Sequence, residues 1–192
     1  MKFLSKFFCF LFAAIIMIQL TIYSQDKKFA QKGVVELGGS VSFSSRVAVY
    51  NGSTQGDAFT TFSLQPYIGY FVTDKFELGM NPLGITYMSQ GSSNATQIGI
   101  FVAPAYNFIT TSGNLFPFIE GLIGYSSQTS TGSTDRSGFS YGGRTGIKVS
   151  VGSSALLNIS VQYLMITLNR SGASDRNGEN DLAIAAGFTV WM

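Results

Sequence analysis

Eight stretches of this 192-residue chain alternate apolar residues with small or polar ones, and the last runs into the C-terminus as Ala186-Gly187-Phe188-Thr189-Val190-Trp191-Met192. A period of two is the signature of extended strands whose side chains point to opposite faces. Here the second face carries Gly, Ser and Gln, and only 11% of residues are charged, less than half of the roughly 25% usual for soluble chains. An apolar face on nearly every strand, with a polar face behind it, places lipid outside and the polar side inward. The pattern predicts an all-β fold, an eight-stranded antiparallel up-and-down transmembrane β-barrel preceded by a cleaved signal peptide.

The N-terminus points to export. Lys2 and Lys6 precede an apolar run from Phe7 to Ile18 that resumes from Leu20 to Ile22, and a polar sequence begins at Tyr23. A basic start, a short apolar core and the small residue Ser24 have the layout of a secretory signal, whereas a membrane-crossing helix would need about 20 apolar residues. The expected division is a signal peptide over 1–24 and a barrel domain over 25–192. Cys9, the single cysteine, falls inside the leader, so the mature chain is expected to carry no disulfide and no thiol chemistry. Loss of Lys2 and Lys6 leaves ten basic residues against ten acidic ones, which gives no footprint for nucleic acid.

Strands are predicted near 33–45, 59–73, 75–88, 96–110, 115–127, 138–152, 155–169 and 181–192. Long polar links at 46–58, 89–95, 128–137 and 170–180 interleave with short turns at 73–75, 111–114 and 152–154. Outer-membrane barrels have long outer loops and short periplasmic turns, so this order places both termini in the periplasm. Strand three changes phase at Asn81-Pro82: Phe76, Leu78 and Met80 share one face, then Leu83, Ile85 and Tyr87. A β-bulge there would restore the alignment. A secreted soluble β-sandwich binding module is the alternative fold, since its strands also alternate.

These segments resemble the small outer-membrane β-barrel family, of the eight-stranded kind typified by the transmembrane domain of outer membrane protein A. The resemblance covers residues 30–192 and rests on the strand, turn and strand from Gln65 to Gly79, on the related Phe116 to Tyr125, and on the closing Gly187-x-x-Val190-x-Met192. It implies that Gly187, Val190, Trp191 and Met192 form the signal read by the barrel-assembly machinery. The family usually ends in Phe or Trp, and Met192 after Trp191 departs from that.

Catalytic chemistry finds little to work with. The chain contains no histidine, which removes Ser-His-Asp and Cys-His machinery and His-ligated metal sites. Catalytic residues, cofactors and metal ligands are expected to be none. Asp175, Asn177, Glu179 and Asp181 have the composition of a calcium loop, but Gly178 is not where such a loop needs its glycine, and they read as a solvated loop. The glycine-rich run from Gly142 to Lys148 lacks phosphate-loop spacing and reads as barrel wall.

The informative charges are those that parity places inside: Glu36, Glu77, Glu120, Arg144 and Lys148. An eight-stranded barrel is just wide enough for side chains to fill, so inward charges must pair across the lumen or meet a heavy desolvation cost. Glu120 is expected opposite Arg144 on neighbouring strands, with Glu77 also facing Arg144 and with Lys148 and Glu36 nearby. Outward aromatics near strand ends, Tyr70, Phe76, Tyr87, Tyr106, Phe108, Phe139 and Tyr141, are expected to form interfacial girdles.

The function read from these features is that of a non-enzymatic integral outer-membrane protein of a Gram-negative bacterium, plugged by its own side chains, with a structural or surface-interaction role. Its expected partners are outer-membrane lipid, the assembly machinery, and a surface ligand or protein reached through the loops at 46–58, 128–137 and 170–180. A monomer is expected. A narrow channel or small-solute transporter is the alternative function.

Overall fold

The computed structural model describes residues 28–51, 53–90, 93–130, 135–168 and 177–192. Eight strands follow one another: β1 (Val35–Tyr50), β2 (Ser53–Thr73), β3 (Phe76–Gln90), β4 (Ser93–Asn107), β5 (Leu115–Ser130), β6 (Arg136–Ser150), β7 (Ala155–Thr167) and β8 (Asn177–Trp191). Each is antiparallel to its neighbours, and β8 pairs with β1 to close the barrel. The sandwich alternative is overturned: two stacked sheets would hide their apolar faces against each other, whereas this single sheet turns one face inward and exposes the other. The expected leader over 1–24 lies outside the described residues.

Closure runs almost the whole length of both terminal strands, from Glu36 opposite Trp191 to Tyr50 opposite Asn177. The exterior is the apolar face of the alternation, with Ile184 at 65% exposure, Ile159 at 61% and Ile100 at 52%. Water would strip such a surface of its stability, and lipid suits it. Aromatics concentrate toward the two ends of this belt. Tyr70, Phe76, Tyr106 and Phe108 are exposed near the short turns, where the Tyr106 and Phe108 rings meet edge to face at 4.9 Å. Phe43, Phe62, Tyr87, Tyr125 and Phe139 are exposed toward the other end, with Phe43 and Phe62 at 5.4 Å.

Strand bounds differ from the sequence expectation most at one end; at the short-turn end β1 starts at Val35, β4 stops at Asn107 and β6 at Ser150, two or three residues inside the expected bounds. β1 and β2 occupy most of the expected loop at 46–58, ending at Tyr50 and resuming at Ser53, and β3 and β4 most of 89–95, ending at Gln90 and resuming at Ser93. About 9–11 tilted residues cross a bilayer, and β2 has 21. The hairpins therefore stand out of the apolar belt, where alternation no longer has lipid to answer to. At the same end β5 stops at Ser130 and β6 starts at Arg136, and β7 stops at Thr167 and β8 starts at Asn177.

The phase change in β3 is a one-residue bulge. Between Leu64 and Ile68 of β2 there are four steps, against five between Met80 and Ile85 of β3, and on the other side Asn81 to Gly84 is matched by the shorter Gly99 to Phe101. Both ladders thus place the extra residue at Pro82-Leu83, where both side chains are exposed. Proline suits a bulge, having no amide hydrogen to lose from the ladder. Asn81 Nδ2 donates to Pro66 O at 3.0 Å and stitches the gap from inside.

Ile100 and Ile184 stand at mid-height of β4 and β8 with their side chains outward. Ile100→Arg or Ile184→Arg is expected to destabilise the barrel in lipid by about 2–4 kcal/mol, while Ser112→Arg in an exposed turn changes little. Equal unfolding free energies for Ile184→Arg and Ser112→Arg in reconstituted bilayers would refute a lipid-facing belt.

Candidate functional site

The lumen is packed in layers. Lowest, at the short-turn end, Phe29, Val34, Phe71, Phe116, Leu156 and Trp191 form an apolar cluster. Directly above it lies an ionic layer that contains all five charges that parity placed inside. Glu36 and Glu77 are fully buried, and Glu120, Arg144 and Lys148 are buried as well.

Register explains how these five meet. Glu120 of β5 lies directly opposite Arg144 of β6 in the ladder, and Arg144 Nη2 donates to Glu120 Oε1 at 2.6 Å. Lys148, four residues and two pleat repeats further along β6, reaches across the lumen instead, donating to Glu36 Oε2 of β1 at 2.6 Å and to Glu77 Oε2 of β3 at 3.5 Å. Glu77 was expected opposite Arg144; it faces Lys148, and Asn107 Nδ2 supplies a further donor at 3.1 Å. The lysine stem is long enough to span strands that are not neighbours, whereas the Arg144 fork is engaged by the residue beside it. Glycine makes the room: a Cβ on Gly69 would overlap the Glu77 carboxylate, and one on Gly79 would overlap the Tyr67 ring.

Above the ionic layer an apolar band of Tyr67, Phe101, Ala103, Leu122, Leu164, Ile166 and Leu168 crosses the lumen. Higher still is a second ionic layer that sequence reasoning missed. Arg46 of β1, 2% exposed, donates to Asp181 Oδ2 at 3.0 Å and to Glu179 Oε2 at 3.2 Å, both on β8, and also to Gln97 Oε1 of β4. Gln128 of β5 donates to Glu179 Oε1 at 3.2 Å, and the Met88 sulfur lies 3.5 Å from Arg46 Nη1. The reading of Glu179 and Asp181 as solvated loop is corrected: β8 begins at Asn177, and both carboxylates face the guanidinium across the closing ladder. Parity carried the signal, since Arg46 continues Ser40, Ser42 and Ser44, and Glu179 and Asp181 precede Ala183 and Ala185.

The lower ionic layer itself is tightly filled. A void of about 20 Å³ bordered by Glu36, Tyr67, Glu120, Arg144 and Lys148 holds roughly one water. Elsewhere on the inner wall hydroxyls pair across the sheet, Ser63 with Thr86 at 2.8 Å, Ser140 with Ser126 at 2.9 Å, and Ser44 with Thr61. Among the described residues no group of His, Cys, Asp and Glu is placed to hold a metal. The residues expected to form the C-terminal signal lie on the closing strand: Trp191 turns inward and is buried at the short-turn mouth, Val190 and Met192 are half-buried, and Gly187 faces Ser40 in the ladder.

Removing one partner of a buried ion pair strands the other charge and costs about 3–5 kcal/mol. Arg144→Met should therefore destabilise by about that amount, while Arg144→Met combined with Glu120→Gln costs less than the sum of the two single changes. Folding free energies in detergent or lipid measure the coupling; additivity within about 0.5 kcal/mol would mean that the pair carries no mutual stabilisation.

No family model matches the chain and no curated relative matches it. Among solved structures it is similar to the crystal structure of Neisserial surface protein A, at 16% identity and a TM-score of 0.65 over 83% of this chain and 99% of that one. It is also similar to the outer membrane protein OprG from Pseudomonas aeruginosa, at 15% identity and a TM-score of 0.52 over 86% of this chain and 98% of that one. Identities this low carry the architecture alone. With its closed ring of eight antiparallel strands, apolar exterior and polar lumen, this chain has the fold of the small eight-stranded outer-membrane β-barrels.

Proposed function

We propose that the protein is a non-enzymatic, monomeric component of the outer membrane whose barrel is an anchor and whose work is structural or is done at the loop end. The observation that carries this reading is the filled lumen. Two ionic layers and two apolar layers alternate along the axis among the described residues, and a void of about 20 Å³ lies in the lower ionic layer. A general solute path needs a continuous wet column, which an apolar band of aromatic and aliphatic side chains interrupts. The absence of histidine from the whole sequence supports a non-enzymatic role, because the common hydrolytic and acyl-transfer arrangements depend on it.

In this reading both termini face the periplasm and the ends of β1–β2, β5–β6 and β7–β8 project outside the cell. The connections at the outer ends of these strand pairs are then proposed as the surface available to a ligand or partner protein. The segment 1–24 is removed on export, and the chain from 25 onward is the mature protein.

Two measurements test this assignment. The protein recovered from outer membranes should migrate faster on a gel when unheated than after boiling, and purified barrels in planar bilayers should show no stable single-channel steps. Conductance steps characteristic of an open pore would overturn the plugged reading, and release from membranes by a carbonate wash would overturn the integral one.

The C-terminal residues are proposed as the assembly signal because they also complete the closing ladder. Val35 N donates to Met192 O at 2.8 Å and Met192 N to Val35 O at 3.0 Å. Deleting Val190 to Met192 leaves unpaired backbone that lipid cannot satisfy, so the truncated chain should fail to accumulate as a heat-modifiable species. Its normal accumulation would rule out a signal in this segment.

A further inference from the structure

Residues 28–34 precede β1 and belong to no strand, yet they are fixed against the short-turn mouth. Gly33 N donates to Phe71 O at 2.8 Å, Phe71 N to Val34 O at 2.9 Å, and Lys75 N to Ala30 O at 2.8 Å. Lys32 N donates to Asp74 Oδ1 at 2.8 Å. All four bonds go to the end of β2 and the two-residue turn that follows it. Ala30 holds a left-handed φ of 66°, a conformation that a residue with a Cβ keeps only when its surroundings impose it.

That geometry drives Phe29 into the barrel. Its ring is 3% exposed and meets Phe116 at 4.8 Å, Phe71 at 5.2 Å and Trp191 at 5.6 Å, each edge to face. The Lys148 ammonium, which ties Glu36 and Glu77 together, stands 5.1 Å from the Phe29 ring centroid, with Phe118 at 5.2 Å and Tyr67 at 5.7 Å completing an aromatic surround. Phe29 is the one ring of the three that no strand carries.

We propose that residues 28–34 form a latched stopper: Phe29 closes the short-turn mouth, and the Lys148 ammonium of the lower ionic layer holds its ring. The barrel wall is held by whole ladders, whereas the stopper depends on a few bonds to one turn and on one ring, so it opens locally without the strands separating. A cation over an aromatic face is held more firmly when water is excluded, and seating Phe29 is itself what excludes water from Lys148. Seating and latching therefore reinforce each other. Above the opened stopper lies a chamber containing Lys148, Glu36 and Glu77, closed at its top by the band of Tyr67, Phe101, Leu122 and Leu164. Opening wets the chamber and creates no through-path, which distinguishes this device from a channel gate.

Amine labelling with trinitrobenzenesulfonate, read by peptide mass spectrometry on the folded full chain in detergent, tests this, with the exposed Lys75 as the internal standard. In the wild type Lys148 should react at least about tenfold more slowly than Lys75, and Phe29→Ala should raise its rate about tenfold with heat-modifiable migration retained. Acrylamide quenching of Trp191, the only tryptophan of the chain, should rise in parallel. Phe29→Leu keeps apolar bulk but has no ring face, and should give at least half the Phe29→Ala increase in Lys148 labelling. Ala30→Val unseats the segment by backbone conformation without removing an interior ring, and should expose both reporters even if Phe29→Ala does not fold. Lys148 protected and Trp191 unquenched in the folded variants would overturn the stopper, and Phe29→Leu labelling like the wild type would overturn the latch.

Discussion

Everything in this molecule depends on the pairing of β1 with β8. Hydrocarbon offers no partner to a backbone amide or carbonyl, so a sheet in lipid must have no edge. The ladder from Glu36–Trp191 to Tyr50–Asn177 removes the last one. Once the ring is closed with eight strands its inner width is no longer adjustable, and the choice of inward residues becomes a packing problem in a tube of fixed bore. The exterior, by contrast, has only to be apolar over the bilayer's depth and aromatic at its margins.

The tube is filled by a stack in which apolar and ionic layers alternate. The order has a physical logic. A buried charge is tolerable where partners from other strands can reach it, and Lys148 links β6 to β1 and β3 while Arg46 links β1 to β4 and β8. Each ionic layer thereby ties non-adjacent staves of the barrel together across its axis, which backbone ladders cannot do. The apolar layers between them exclude water and strengthen those ties. Both layers carry more carboxylates than cations among the described residues: Glu36, Glu77 and Glu120 against Arg144 and Lys148, and Glu179 and Asp181 against Arg46.

The fold was legible because lipid enforces a strict rule on every second residue. Parity alone located the inner faces of β1, β4, β6 and β8, and the break of parity at Asn81-Pro82 located the bulge. Legibility stopped where lipid stopped. Arg46, Glu179 and Asp181 lie near the outer ends of β1 and β8, where Ser45, Gly178 and Asn180 interrupt the outward apolar series to which Val47 and Leu182 belong; polar composition there looked like loop. Extending the same odd-even count through the polar ends of β1 and β8 would have found them. Phe29 was invisible for a different reason: a lone aromatic in a short irregular segment has no period, and its burial follows from the turn at Asp74-Lys75 that captures the backbone of Ala30 and Lys32 beside it. Which inward charge meets which was only half readable, since Glu120 and Arg144 face each other across one ladder, whereas the reach of Lys148 depends on the bore of the closed barrel.

The extra residue in β3 has a consequence for how this sequence can change its length. In a lipid-facing strand, adding or losing one residue turns every later side chain to the wrong side. At Pro82-Leu83 both neighbouring ladders already step around one surplus residue, with Met80 outward before it and Ile85 outward after it. Excision of Pro82 would leave Met80, Leu83 and Ile85 in unbroken alternation. The bulge is thus the point in β3 where a single-codon deletion preserves the sidedness of the whole strand, whereas a deletion within the regular alternation on either side of it would reverse the faces beyond.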